Sequence, residues 1–129
     1  MPKRILIVDD HAPTRTAIRN MIEIDCSEEY EIVEAASGIE TLTVIDKEAA
    51  FQLVLLDIEL PKMDGFEVCK ALRDNGIKTP VVFVTGRGGL EDFNKGRAAG
   101  GDSYLKKPVT RASLRSVVAL FTSGSVTRT

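Results

Sequence analysis

Three short runs of this chain, Ile5–Val8, Phe51–Leu56 and Pro80–Val84, are almost unbroken in apolar residues, without the every-second-residue alternation of a strand that has one wet face. Strands of that kind are covered on both sides, which requires a parallel sheet held between two layers of helices. Strands are expected at about 4–8, 30–35, 52–57, 80–85 and 103–106, and five helical segments alternate with them. Strict alternation restricts the topology to right-handed crossovers with helices on both faces.

The helices carry their own signatures. The first, about 12–24, has Pro13 suited to its opening turn and Ala17, Ile18, Met21 and Ile22 on one face. Ser37 and Glu40 have the spacing of a capping box before the second. The third, about 64–74, can be capped by Asp64, carries Phe66, Cys69 and Leu72 as a stripe and ends at Asn75-Gly76. The fourth, about 89–99, presents Leu90, Phe93 and Arg97, and Gly96 weakens its interior by roughly 1 kcal/mol relative to alanine. The fifth, about 110–121, repeats at Leu114, Val117, Val118 and Phe121. The segment Tyr30–Ala35 is the least uniformly apolar strand and belongs at an edge. The expected fold is therefore α/β, a flavodoxin-like (βα)5 domain with a doubly wound five-stranded parallel sheet of order 2-1-3-4-5. One domain is expected over residues 1–122, with 123–129 as a flexible tail or the start of a linker.

Composition removes several function classes. A net charge of −2 with pI near 5.5 lacks the basic face that nucleic acid needs, so no direct nucleic-acid contact is expected. No apolar stretch approaches the ~20 residues of a membrane span. The start MPKRILIVDD runs into two acids too soon for a signal peptide, so a cytoplasmic location is expected. Cys26 and Cys69 lack CxxC spacing, and His11 is the sole histidine, which leaves zinc and disulfide readings without support. Both thiols are expected in or near packed helices.

In an open parallel sheet each strand delivers its last residue to one edge, and ligands bind in the crevice there. Asp9 and Asp10 follow the first strand, Asp57 the third, Thr85 ends the fourth and Lys107 follows the fifth. Two carboxylates about 4 Å apart repel by roughly 4 kcal/mol at an effective dielectric near 20, so three in one crevice call for a cation. All-oxygen donors in an open site favour Mg²⁺. Asp10 and Asp57 are expected as direct ligands, Asp9 through water, with the backbone carbonyl of Glu59 as a further ligand. A carboxylate so placed is a nucleophile toward phosphorus, with Lys107 and Thr85 as donors to the phosphoryl oxygens.

The pieces ILIVDD at 5–10, LLDIELPKMDG at 55–65, VVFVTG at 81–86 and YLKKP at 104–108 together resemble a response-regulator receiver domain of two-component signalling. The resemblance implies that Asp57 is the phosphoacceptor, Asp9 and Asp10 the acidic pair, Thr85 the switch hydroxyl, and that Lys107-Pro108 is a cis peptide. Gly86 departs from the alanine common after the switch threonine. A chain of this kind is no enzyme acting on an outside substrate; it catalyses its own aspartyl phosphorylation and dephosphorylation. Its implied partners are a sensor histidine kinase or phosphotransfer protein, and downstream a protein target or a phosphorylation-linked dimer. Phosphorylation is expected to draw Thr85 inward, turn the Tyr104 ring and reshape the face of helix 4, strand 5 and helix 5 around Leu90, Phe93, Tyr104 and Arg111. Glu59 and Arg87, two residues past Asp57 and Thr85, are expected to modulate water access to the phosphoryl group. Alternatives are the receiver half of a longer regulator, a phosphoryl sink or relay, and an aspartyl-nucleophile phosphatase.

Overall fold

The computed structural model describes residues 3–26, 29–48, 50–86 and 89–123. Strands β1 (Lys3–Val8), β2 (Tyr30–Ala35), β3 (Leu53–Leu56), β4 (Val81–Thr85) and β5 (Ser103–Lys106) alternate with helices α1 (Ala12–Asp25), α2 (Gly38–Lys47), α3 (Gly65–Asp74), α4 (Leu90–Ala98) and α5 (Arg111–Thr122). The strands form one parallel sheet of order β2-β1-β3-β4-β5, as their apolar character requires. β2 and the four-residue β5 are its edges.

Successive side chains of each strand serve opposite faces. Ile5, Ile7, Leu53, Leu55, Val82 and Val84 pack with Ile18 and Ile22 of α1 and Leu114 and Val118 of α5. Leu6, Val8, Val54, Leu56, Val81 and Phe83 pack with Val68, Cys69 and Leu72 of α3, with Leu42 and Ile45 of α2 against them. Two layers of helices therefore enclose the sheet. Cys69 is buried in this core, and the half-buried Cys26 ends α1.

Some local expectations need correction. Ala17 is exposed; Ile18 and Ile22, with Met21 partly buried beside them, fill the space under α1. At α2, Ser37 accepts from the Glu40 N–H, but Glu40 reaches back to the N–H of Ala36 instead of Ser37, so the reciprocal box is incomplete. It is complete at α3, where Asp64 and Glu67 exchange both bonds. From Glu91 on, Gly96 is the one residue that α4 buries, and Phe93 is 45% exposed. The space under α4 belongs to the Phe83 ring: a Cβ on Gly96 would lie 2.9 Å from it, and one on Gly101 2.3 Å. Gly96 thus serves a close approach as well as weakening the helix. Among the described residues Lys62, in the turn before α3, is the non-glycine residue with positive φ, at 70°.

Candidate functional site

Asp57 leaves the sheet directly after β3, its N–H donating to the Val8 carbonyl at 3.0 Å, which sets its carboxylate beside the end of β1. The chain then turns sharply. Gly65 N–H bonds the Ile58 carbonyl at 2.8 Å, and a Cβ on Gly65 would sit 2.4 Å from the Asp57 carbonyl oxygen, so only glycine allows the returning backbone this close. Asp57 is 5% exposed and Asp9 2%, whereas Asp10 is open to solvent.

Lys107 joins the two buried carboxylates, its Nζ donating to Asp9 Oδ2 at 2.7 Å and to Asp57 Oδ2 at 3.1 Å. Its backbone N–H bonds the Thr85 carbonyl at 2.8 Å, and the following Lys107-Pro108 peptide is cis. The second oxygens are also engaged: Asp57 Oδ1 accepts from Glu59 N–H at 3.1 Å and Asp9 Oδ1 from His11 N–H at 2.8 Å. Burial pushes the Asp57 carboxyl above its ordinary value, against the opposing pull of Lys107 and the Glu59 N–H. Burial also pulls the Lys107 ammonium down, but its bonds to Asp9 and Asp57 outweigh this and hold it above its usual range.

One oxygen from each of Asp9, Asp10 and Asp57 lies within 4.8 Å of the others. These three carboxylates, with His11, Glu59 and Lys107, line an open cleft of about 380 Å³. A set of hard oxygen donors carrying more negative charge than Lys107 neutralises fits a divalent cation such as Mg²⁺ and not a soft metal. His11 stands at the rim with its ring Nδ1 2.7 Å from Thr14 Oγ1.

Thr85 is fully buried at the end of β4, and Gly86 is the residue there that lines the cleft. By strand period, Thr85 shares a sheet face with Phe83 and, across the β4–β5 register, with Tyr104. The Tyr104 and Phe83 rings lie 6.2 Å apart, and Phe83 meets Phe66 edge-on at 5.4 Å. Tyr104, Phe83, Phe93, Gly96 and Gly101 line a smaller cavity of about 160 Å³, which shares no lining residue with the cleft of Asp9, Asp10 and Asp57. Of the expected output face, Phe93 and Arg111 are exposed and Tyr104 is half-buried; the Arg111 guanidinium also makes a bidentate pair with Asp25 of α1 at 2.7 and 2.5 Å. Arg87, expected with Glu59 to modulate water access, and the side chain of Leu90 lie outside the described residues.

The family model of the response regulator receiver domain matches residues 5–119. The chain belongs to the response-regulator receiver family. It is 36% identical over 108 residues to the response regulator MprA of a Mycobacterium species (strain KMS), a match covering 84% of this chain and 45% of that protein. The receiver thus spans under half the length of that curated relative. A CheY-like receiver domain protein from Methanospirillum hungatei superposes with a TM-score of 0.86 at 32% identity, covering 95% of both chains. DrrB of Thermotoga maritima, an OmpR/PhoB homologue, gives 0.81 at 27% identity, covering 95% of this chain and 54% of that one. Among the described residues no helix is long and apolar enough to cross a membrane.

The sequence reading named the acids, Thr85 and Lys107 but missed Gly65 and the bond from Arg15 to the Asp9 carbonyl. The signal for Gly65 was present in the run MDG, where glycine directly follows the helix cap.

Proposed function

We propose that this receiver is a phosphorylation-controlled switch in which Asp57 accepts a phosphoryl group from a histidine kinase, a phosphotransfer protein or a small acyl phosphate. The observation that carries the reading is the buried Asp57 carboxylate held at a strand end by Lys107, with Asp9 and Asp10 within reach. An Asp57 oxygen forms the new O–P bond as the donor's P–N or P–O bond breaks, and the donor leaves with the electron pair. Water later cleaves the acyl phosphate, returning the carboxylate and inorganic phosphate. Lys107 exchanges its bond to Asp57 for one to the phosphoryl oxygens while keeping Asp9 as its anchor. Mg²⁺ held by Asp9, Asp10, Asp57 and the Glu59 backbone carbonyl would supply positive charge against the transferring oxygens. Thr85 and Tyr104 share the Phe83 face, and their coupled movement carries the change to α4, β5 and α5. Glu59, at the cleft mouth, tempers water access.

Relatives that extend well past the matched region support a second reading, in which the same face governs an attached effector. Incubation with acetyl phosphate and Mg²⁺ should add one phosphoryl mass to the wild type and none to Asp57→Asn. A label retained by that variant refutes the acceptor assignment. Beryllofluoride with Mg²⁺ should shift amide resonances across 90–115. Shifts confined to the surroundings of Asp57 would make the chain a phosphoryl sink or relay.

A further inference from the structure

Asp9 has no unassigned polar group. Its N–H donates to the Ala35 carbonyl on β2 at 3.1 Å, and its carboxylate takes one bond each from His11 N–H and Lys107. Its carbonyl accepts from Arg15 Nη1 at 2.6 Å, one turn into α1. Arg15 is anchored in turn: its Nε donates to Glu34 Oε1 on β2 at 2.9 Å, and Arg19 Nε takes the other Glu34 oxygen at 2.9 Å. Burial raises the Glu34 carboxyl, but the bonds from Arg19 and Arg15 outweigh it, so Glu34 is held ionised, below the usual range.

A peptide unit is planar, so fixing the Asp9 carbonyl also fixes the direction of the Asp10 N–H. With the Asp9 N–H tied to β2 as well, Asp10 is delivered into the cleft from a stem immobilised on both sides. We infer that Arg15 is a positioning residue for the cation site: through the Asp9–Asp10 peptide it sets where the exposed Asp10 carboxylate stands, with Glu34 as its anchor. This rests on the Mg²⁺ reading above. Mg²⁺ demands near-ideal octahedral geometry, so a misdirected carboxylate costs affinity even with every ligand present.

Charge and geometry predict opposite signs here. Arg15 is a cation near three acids, so if it acted by charge alone, its removal would tighten Mg²⁺ binding. If it acts by placement, removal weakens binding. Mg²⁺ titrations followed by the amide shifts of Asp10 and Asp57 read this without any phosphoryl donor. Arg15→Ala should weaken affinity roughly tenfold, the lower end of the usual cost of losing a residue that orients a metal ligand. Arg15→Lys keeps the charge but loses the fork that spans Asp9 and Glu34, and should fall on the same side. Glu34→Gln should weaken binding by a smaller factor. Arg19→Ala removes a neighbouring charge from the same Glu34 without touching Asp9, and should bind as the wild type does or slightly tighter. Urea midpoints without Mg²⁺ show whether each variant is folded at the titration conditions. Unchanged or tighter binding by Arg15→Ala overturns the inference, as does a loss in Arg19→Ala equal to that in Arg15→Ala. A wild type with no saturable shift at Asp10 or Asp57 refutes the cation reading itself, and this inference with it.

Discussion

Replacing Gly96 by alanine sets two terms of opposite sign against each other. In an exposed helix interior the change gains about 1 kcal/mol, because glycine loses more backbone freedom on folding. Here the new Cβ would stand 2.9 Å from Phe83 Cε2 and 3.1 Å from Cδ2, closer than carbon atoms tolerate. The ring has little room to retreat, since Phe83 is 1% exposed and braced by Phe66 and Tyr104. Overpacking of this kind costs about 1–3 kcal/mol, so the net should fall between neutral and about 2 kcal/mol destabilising. Gly101→Ala meets the same ring at 2.3 Å outside any helix, has no propensity gain to offset it, and should lose more. Trimming the ring with Phe83→Leu removes the obstacle, and in that background Gly96→Ala should stabilise by up to about 1 kcal/mol. Urea unfolding of the four-member cycle measures this: with m of about 1–3 kcal/mol/M, a 2 kcal/mol loss moves the midpoint by roughly 1 M. The expected coupling is about 0.5–3 kcal/mol. A Gly96→Ala variant that stabilises the wild type, or has the same effect in both backgrounds, refutes the steric account.

Two further outcomes follow from the site and its turn. Asp57 has a raised carboxyl value in the folded chain, so folding binds its proton more tightly, and ionisation costs stability as pH rises from the unfolded value of ~3.9 through the raised folded one. Asp57→Asn should therefore raise the urea midpoint at pH 7, with the advantage shrinking toward pH 4; a pH-independent difference would contradict the burial argument. Lys62 sits at φ 70°, where a non-glycine residue pays about 1 kcal/mol, so Lys62→Asn should gain up to about 1 kcal/mol in thermal melts while Lys62→Val loses stability. Equal melting of the two variants would exclude backbone strain there.

The central strands were legible because a doubly covered strand must be apolar at nearly every position, which Ile5–Val8 and Val81–Val84 display. The acids and Lys107 were legible because strand ends converge on one edge. The packing of α4 was not: periodicity marks large apolar residues such as Phe93, whereas the buried one is Gly96, whose role depends on a ring thirteen residues earlier. The Arg15–Glu34 contact joins a helix to a neighbouring strand and leaves no spacing signal. The Arg111–Asp25 pair was not legible either, because a long guanidinium reaches across to a helix far away in sequence.

β5 ends the sheet with four residues, followed by Lys107 and the ring of Pro108. A bare strand edge is a template on which any extended chain can lay itself, whatever its sequence. Here the template is cut short: the row of exposed amides and carbonyls is brief, the exposed Lys106 repels a second copy laid alongside, and proline offers no N–H to continue it. Fibril-like stacking is discouraged on this side. On the switching role proposed above, a partner would instead recognise side chains such as Phe93 and Tyr104, so specificity could drift by point substitution while the sheet beneath stays the same.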